Sequence, residues 1–134
     1  MNTQLDQVRE RGEGYRLGLG KELTVYAKGT LGAGFLELIA TRLAASLRGV
    51  EGRLDRVVVR FEDLNGPKGG ADMACRIHVT LHGHSVLVVE ARGEGEAYAF
   101  RRAVPRLEAA LGRRRGRDRG RSRATLRMEA KAIV

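Results

Sequence analysis

The sequence predicts a two-layer α/β (α+β) sandwich in the order β-α-β-β-β-α, a four-stranded mixed sheet with both helices on one face. Four stretches alternate apolar and polar residues with period two, and two stretches repeat apolar residues every three to four. The length, 134 residues, fits one domain, and 43% hydrophobic residues suffice for one core. Aromatics make up only 4%, with no Trp, so Val, Leu, Ile and Ala must build that core.

The first strand is read at Glu22–Lys28, where Leu23, Val25 and Ala27 alternate with polar neighbours. Gly29 and Thr30 punctuate it, with Thr30 as the expected N-cap of a helix. From Leu31 to Arg48, Leu31, Phe35, Leu38, Ile39, Leu43, Ala44 and Leu47 keep helical spacing, and Gly49 and Gly52 close the element. The second strand, Arg56–Glu62, places Val57, Val59 and Phe61 on one face and Arg56, Val58, Arg60 and Glu62 on the other. A Gly/Pro loop follows, from Leu64 to Gly70. The third strand, about Met73–His82, alternates Cys75, Ile77, Val79 and Leu81 against Arg76, His78, Thr80 and His82. Gly83 and His84 read as a tight turn into Ser85–Ala91, the fourth strand.

A second helix begins near Glu94, with Ala97, Phe100, Val104, Leu107 and Leu111 on one stripe. Pro105 lies inside it and is expected to kink or split it, because proline lacks the N–H the helix needs. A strand–helix–strand start implies a parallel pair with a right-handed crossover, and two hairpins then make the rest antiparallel. The opposite sheet face would turn Arg56, Arg60, Arg76, His78 and His82 to solvent.

Charge organises the ends. The net charge is +9, from 25 basic and 16 acidic residues. Residues 112–134 hold eight Arg and Lys131 against Asp118 and Glu129, or +7, leaving only +2 for the first 111. Such a block of like charge seeks a polyanion. Residues 1–20, rich in charge and glycine, are expected to be a flexible leader, residues 21–111 the folded domain, and residues 112–134 a basic tail. No apolar run is long enough to span a membrane, and no secretory h-region opens the chain. One cysteine, Cys75, excludes an intramolecular disulfide framework. A cytoplasmic protein is expected.

Several motifs have both a chemical and an ordinary reading. Cys75, His78, His82 and His84 resemble metal ligands, but strand parity sends Cys75 to the core face and His78 and His82 to the other. His78 and His82 would also stand roughly 13 Å apart, too far for one zinc ion. The run Gly29–Gly34 has the spacing G-x-x-G-x-G rather than the G-x-G-x-x-G of dinucleotide folds, and a small nucleotide-using enzyme built on it is a further alternative. His84 and Ser85 lack a carboxylate orienter. No enzymatic activity, metal or cofactor is expected. The loop Asn65–Gly70 could cradle a phosphate on backbone N–H groups with Lys68 beside it, or simply be a wide hairpin connection. Arg102 and Arg106, four apart with Arg101 adjacent, are either a phosphate-binding edge or an ordinary solvated helix face. Arg56, Arg60, Arg76 and His78 are either a second basic surface or partners for Glu62 and Glu90 across strands.

The segment RFEDLNGPKGGADMACRIHV, residues 60–79, resembles the strand, Asp-x-Asn-Gly-Pro-x-Gly-Gly loop and Cys-bearing strand of one branch of the ribosome hibernation-promoting factor family. That family is also described as ribosome-associated inhibitor A or sigma-modulation proteins. VLVVEA, AYAFRRA and RLEAAL are similar to its fourth strand and second helix, so the likeness covers about residues 21–111. The resemblance implies a β-α-β-β-β-α sandwich shaped like double-stranded-RNA-binding domains. It implies binding to the small ribosomal subunit and its rRNA, in the tRNA–mRNA channel between head and body, and inhibition by occlusion. The candidate rRNA contacts are then Arg56, Arg60, Lys68, Arg76, His78, Arg101, Arg102, Arg106, Arg113, Arg114, Arg115 and Arg117.

Three features depart from the family pattern: Pro105 in the second helix, Gly32 and Gly34 at the start of the first, and the Arg-rich tail. Long-form members carry a C-terminal domain that pairs ribosomes, and such pairing is not expected here. Neither a membrane nor a small-molecule substrate is an expected partner, and the protein itself is expected to be a monomer or a weak sheet-edge dimer. The alternative is a general RNA or DNA binder, with the tail supplying most of the affinity.

Overall fold

The computed structural model describes residues 11–16, 21–64, 72–82 and 85–133, with side chains described for 21–64, 72–82 and 85–114. The elements are β1 (Arg11–Arg16), β2 (Glu22–Ala27), α1 (Ala33–Leu47), a 3-10 turn (Arg48–Arg53), β3 (Leu54–Asp63), β4 (Asp72–Leu81), β5 (Ser85–Glu94) and α2 (Glu96–Ile133). The expected β-α-β-β-β-α sandwich is present as β2 to α2. Strands β2 and β3 run parallel with α1 as their crossover, and β3, β4 and β5 are antiparallel neighbours. No helix among the described residues is long and apolar enough to cross a membrane.

The sheet has one strand more than expected. Residues 11–16, expected within a flexible leader, form β1 and pair antiparallel with β2, from Arg11 opposite Ala27 to Arg16 opposite Glu22. RGEGYR has no apolar alternation and two glycines, so nothing local marks it as a strand. The unpaired backbone edge of β2 supplies the reason, because a ladder of main-chain bonds does not depend on side chains.

A single buried cluster joins the inner sheet face to both helices. Leu23, Val25, Val57, Val59, Ile77 and Val79 project from the strands, and Leu36, Ile39, Leu43 and Leu47 come from α1 at three- and four-residue spacing. Burying each such side chain contributes about 1.5–3 kcal/mol. Phe35 tilts on Phe61 at 5.8 Å between centroids and meets Phe100 edge-on at 6.2 Å, so three of the few aromatics tie α1, β3 and α2 together.

Helix boundaries differ from the expectation at two points. Helix α1 starts after Gly32, whose carbonyl accepts from Leu36 N at 3.0 Å, and no side chain caps it. Thr30 is exposed and is not the N-cap. The chain stays extended through Gly32, which lets Leu31 pack against the core before the first turn. Helix α2 is a single helix through Pro105, so the proline does not split it. Pro105 is exposed, where water can satisfy the Arg101 carbonyl freed by the missing N–H. Buried Val104 and Leu107 flank it and hold both halves on the sheet.

The same helix crosses the expected domain boundary at residue 112 and runs to Ile133. Once the stripe from Ala99 to Leu111 has anchored it, each further residue costs only propagation, and arginine is a good helix former. At 38 residues the helix is about 57 Å long, against roughly 33 Å for the ten-residue β5.

The β5–α2 turn depends on two glycines. A Cβ at Gly93 would lie 2.8 Å from Ala99 N and 2.9 Å from the Tyr98 carbonyl carbon, and this is backbone that cannot step aside. Gly95 holds φ +93°, and its carbonyl accepts from Ala99 N at 3.1 Å, starting α2. Gly93→Ala is expected to cost about 1–3 kcal/mol by overpacking. Gly95→Ala should cost roughly 1–2 kcal/mol by strain. Urea unfolding of each variant measures this, and an unchanged midpoint for Gly93→Ala would show that α2 can lift off β5 without penalty.

Candidate nucleic-acid interface

Helix α2 sorts its charges by flank. On the side facing α1, Glu108 accepts a 2.9 Å hydrogen bond from the Ser46 hydroxyl. On the side facing β5, Arg106 Nη1 donates to the Glu90 carbonyl and Arg114 Nη2 donates to the Ser85 hydroxyl. Arg102 and Arg113 lie one and two turns from Arg106, on that same flank. Arg101, Arg102 and Arg113 are exposed, and none has a hydrogen bond or ion pair among the described residues. The flank along the β5 edge is therefore a row of arginines. Arg106 and Arg114 are partly spent on that edge, while Arg102 and Arg113 stand beside it without a partner among the described residues.

Arg106 thus differs from its sequence reading. It is exposed and cationic, but its guanidinium already covers an edge carbonyl of β5. This contact blunts an edge that would otherwise present unpaired backbone.

The open sheet face is more nearly neutral. Arg60 and Arg76 are direct cross-strand partners, an arrangement that like charges disfavour. Each turns to something else. Arg76 pairs with Glu90 at 3.2 Å and lies 3.9 Å from Glu62, and Arg60 stacks over the Tyr26 ring at 4.5 Å. For Arg76 the cross-strand pairing with Glu62 and Glu90 is therefore the observed arrangement. Arg56 is exposed opposite Thr80, and Val86 and Val88 are the exposed apolar residues of this face.

His78 is half-buried opposite Val58 and Val88. Burial, then the charges of Arg76 and Arg60, hold its pKa below the ordinary histidine value of 6.5, so it is neutral at pH 7. His82 lies past the end of β4 and meets Asp55 at 2.9 Å, beside the register shift between Leu54 and Arg56. Cys75 is on the core face and His78 on the open face, so these two cannot share an ion.

The Lys68 loop and the Gly83–His84 turn lie outside the described residues, as do the side chains of Arg115 and Arg117. The groove between the helices, about 350 Å³ and lined by Arg42, Ala45, Ser46, Gly49, Glu108 and Leu111, holds a carboxylate and suits an anion poorly. Sequence reasoning missed Tyr26, Ser85 and Ser46. Their partners lie 34, 29 and 62 residues away, and only strand register and helix docking bring them together.

Burial pushes the Cys75 thiol from 9.0 up to about 12. The unfolded thiol ionises near 9, and the folded one resists, so its contribution to stability is complete below pH 9. It is lost as pH rises from 9 through 12, at up to about 1.4 kcal/mol per pH unit. The stability difference between wild type and Cys75→Ala should therefore be flat from pH 7 to 9 and shrink above it. A difference that stays flat to pH 11 would show an accessible thiol.

No protein-family model matches this chain, and no curated protein matches it.

Proposed function

We propose that this protein is a ribosome-binding translation inhibitor of the hibernation-factor type. It docks on the small subunit through rRNA phosphates and acts in the cytoplasm by occupying the tRNA–mRNA channel. The observation that carries the reading is the arginine row along α2. Two exposed guanidinium groups of that row, Arg102 and Arg113, have no partner among the described residues, nor has Arg101, two turns before Glu108 on the other flank, while Glu90 and Glu108 are engaged elsewhere. The sandwich order and the loop motif of residues 60–79 support the family assignment. Inhibition by occlusion needs shape and charge rather than a reacting group.

In this reading α2 lays its cations along an rRNA backbone, each contact releasing condensed counterions. Beyond Leu111, the helix extends the same chemistry with the arginines of the tail. The open sheet face, with Arg76 paired and Arg60 on Tyr26, offers Arg56 and Arg92 as exposed cations without a partner among the described residues and contributes less.

Co-sedimentation with ribosomes at low and moderate salt, with duplex RNA as competitor, tests the reading. Near-stoichiometric retention on the small subunit despite competitor supports it. Loss to the duplex would make the protein a general polyanion binder, and deleting residues 113–134 should then abolish binding rather than weaken it. His78 reports on the other surface. Phosphates placed on the sheet face should raise its pKa on RNA binding, and docking through α2 alone should leave it below 6.5. Proton NMR of the His78 ring, free and RNA-bound, separates the two.

A further inference from the structure

We propose that Ser85 and Arg114, where β5 begins and α2 passes it, form a seat for one phosphodiester group of a bound RNA. The inference rests on the nucleic-acid reading above and gives it a specific contact in place of diffuse attraction.

Arg114 is half-buried, unlike Arg113 beside it, which is exposed. Its Nη2 donates to the Ser85 hydroxyl, but its Nε is buried without any acceptor among the described residues. A neutral hydroxyl does not balance a guanidinium withdrawn from water, and a buried N–H without a partner is costly. No carboxylate compensates among the described residues, since Glu90 pairs with Arg76 and Glu108 accepts from Ser46. Among the described residues the site is therefore a cation with a buried, unsatisfied donor and no anion.

Chemistry narrows what fits. Nε–H and one Nη–H of arginine point the same way and take two oxygens of one oxyanion side by side. The Ser85 hydroxyl can rotate to donate to an oxygen of the same group once an anion arrives. Arg113 and Arg106 flank the seat and add charge that favours phosphate, and an RNA backbone along the α2 row brings a phosphate to each turn. Free inorganic phosphate shares the chemistry but lacks those neighbouring contacts.

The test follows the Nε–H resonances of the full-length protein by nitrogen-15 NMR, with Arg114→Lys assigning the signal. Short duplex RNA and inorganic phosphate are titrated separately. A saturable shift of Arg114 Nε–H with RNA, with or without a response to phosphate alone, is expected, as is its loss in Ser85→Ala. Arg114→Lys keeps the charge but removes Nε, and should weaken RNA binding about tenfold, against less than about twofold for Arg113→Lys. Silence toward RNA, whether or not inorganic phosphate shifts the signal, or an equal loss in both Lys variants would overturn the seat. Ribosome retention with a silent Arg114 sinks the seat and leaves the hibernation reading standing. An Arg114 response without ribosome retention does the reverse.

Discussion

Reversing Arg102 and Arg113 to Glu together is expected to flatten the salt dependence of RNA binding by about two units of log Kd per log salt, one per phosphate contact. Both side chains are exposed on the β5 flank of α2 and have no partner among the described residues. The change therefore breaks no bond to a described residue and should leave the fold's stability within roughly 0.5 kcal/mol. That separation makes the result interpretable. Affinity should fall most at low salt, where counterion release contributes most. The matched control is Arg76→Gln, which removes a cation already held by Glu90 and Glu62 and should change the slope by less than about half a unit. Filter binding to duplex RNA or ribosomes between 50 and 200 mM salt (roughly the range in which such slopes are read) measures both. Equal slopes for wild type and the double variant would remove α2 from the interface. An Arg76→Gln effect as large as the double reversal would move the interface to the sheet face.

Phe100→Ala should be the most damaging single change to the fold, at about 3–5 kcal/mol. The ring is 1% exposed and meets Phe35 edge-on, and Phe35 in turn tilts on Phe61. Its removal opens a cavity under α2 and deprives Phe35 of one of its two aromatic neighbours. With few aromatics in the chain, no other large ring can swing in to fill the space. Against a typical total of about 5–15 kcal/mol, such a loss leaves the domain marginal. Guanidinium unfolding should show a lower midpoint with an unchanged slope, since the surface exposed on unfolding is nearly the same. Phe100→Leu should recover more than half of the loss, because a hydrophobe of similar reach refills most of the cavity. A loss under about 1 kcal/mol for Phe100→Ala would mean that α2 is held by its flanks rather than by its core stripe.

Much of this architecture is legible locally. The alternation in RVVVRFE and in MACRIHVTL marks β3 and β4 and assigns each residue to a face, and the buried residues follow it except Ala74, which is buried on the open face. The stripe from Phe100 to Leu111 likewise marks the buried side of α2. These signals survive because burial of one face imposes its own period on the chain. Strand β1 left no such trace, since it is held by main-chain pairing to β2. The helical course of residues 112–133 was also hidden, because a low-complexity arginine run is helical only once a docked helix leads into it.

For the candidate site the division is sharper. By itself the sequence determined which residues are cationic, that their excess lies beyond residue 111, and that Arg101, Arg102 and Arg106 lie on the solvent side of an amphipathic helix. Only the tertiary structure decided which of those charges remain available. It tied Arg76 to Glu90, stacked Arg60 on Tyr26, placed Arg106 on the β5 edge and left Arg102 and Arg113 without a partner among the described residues. The reason is physical: a residue's charge and its local periodicity travel with the sequence, but an ion pair needs two groups within about 4 Å. That distance is set by strand register and helix docking between segments tens of residues apart.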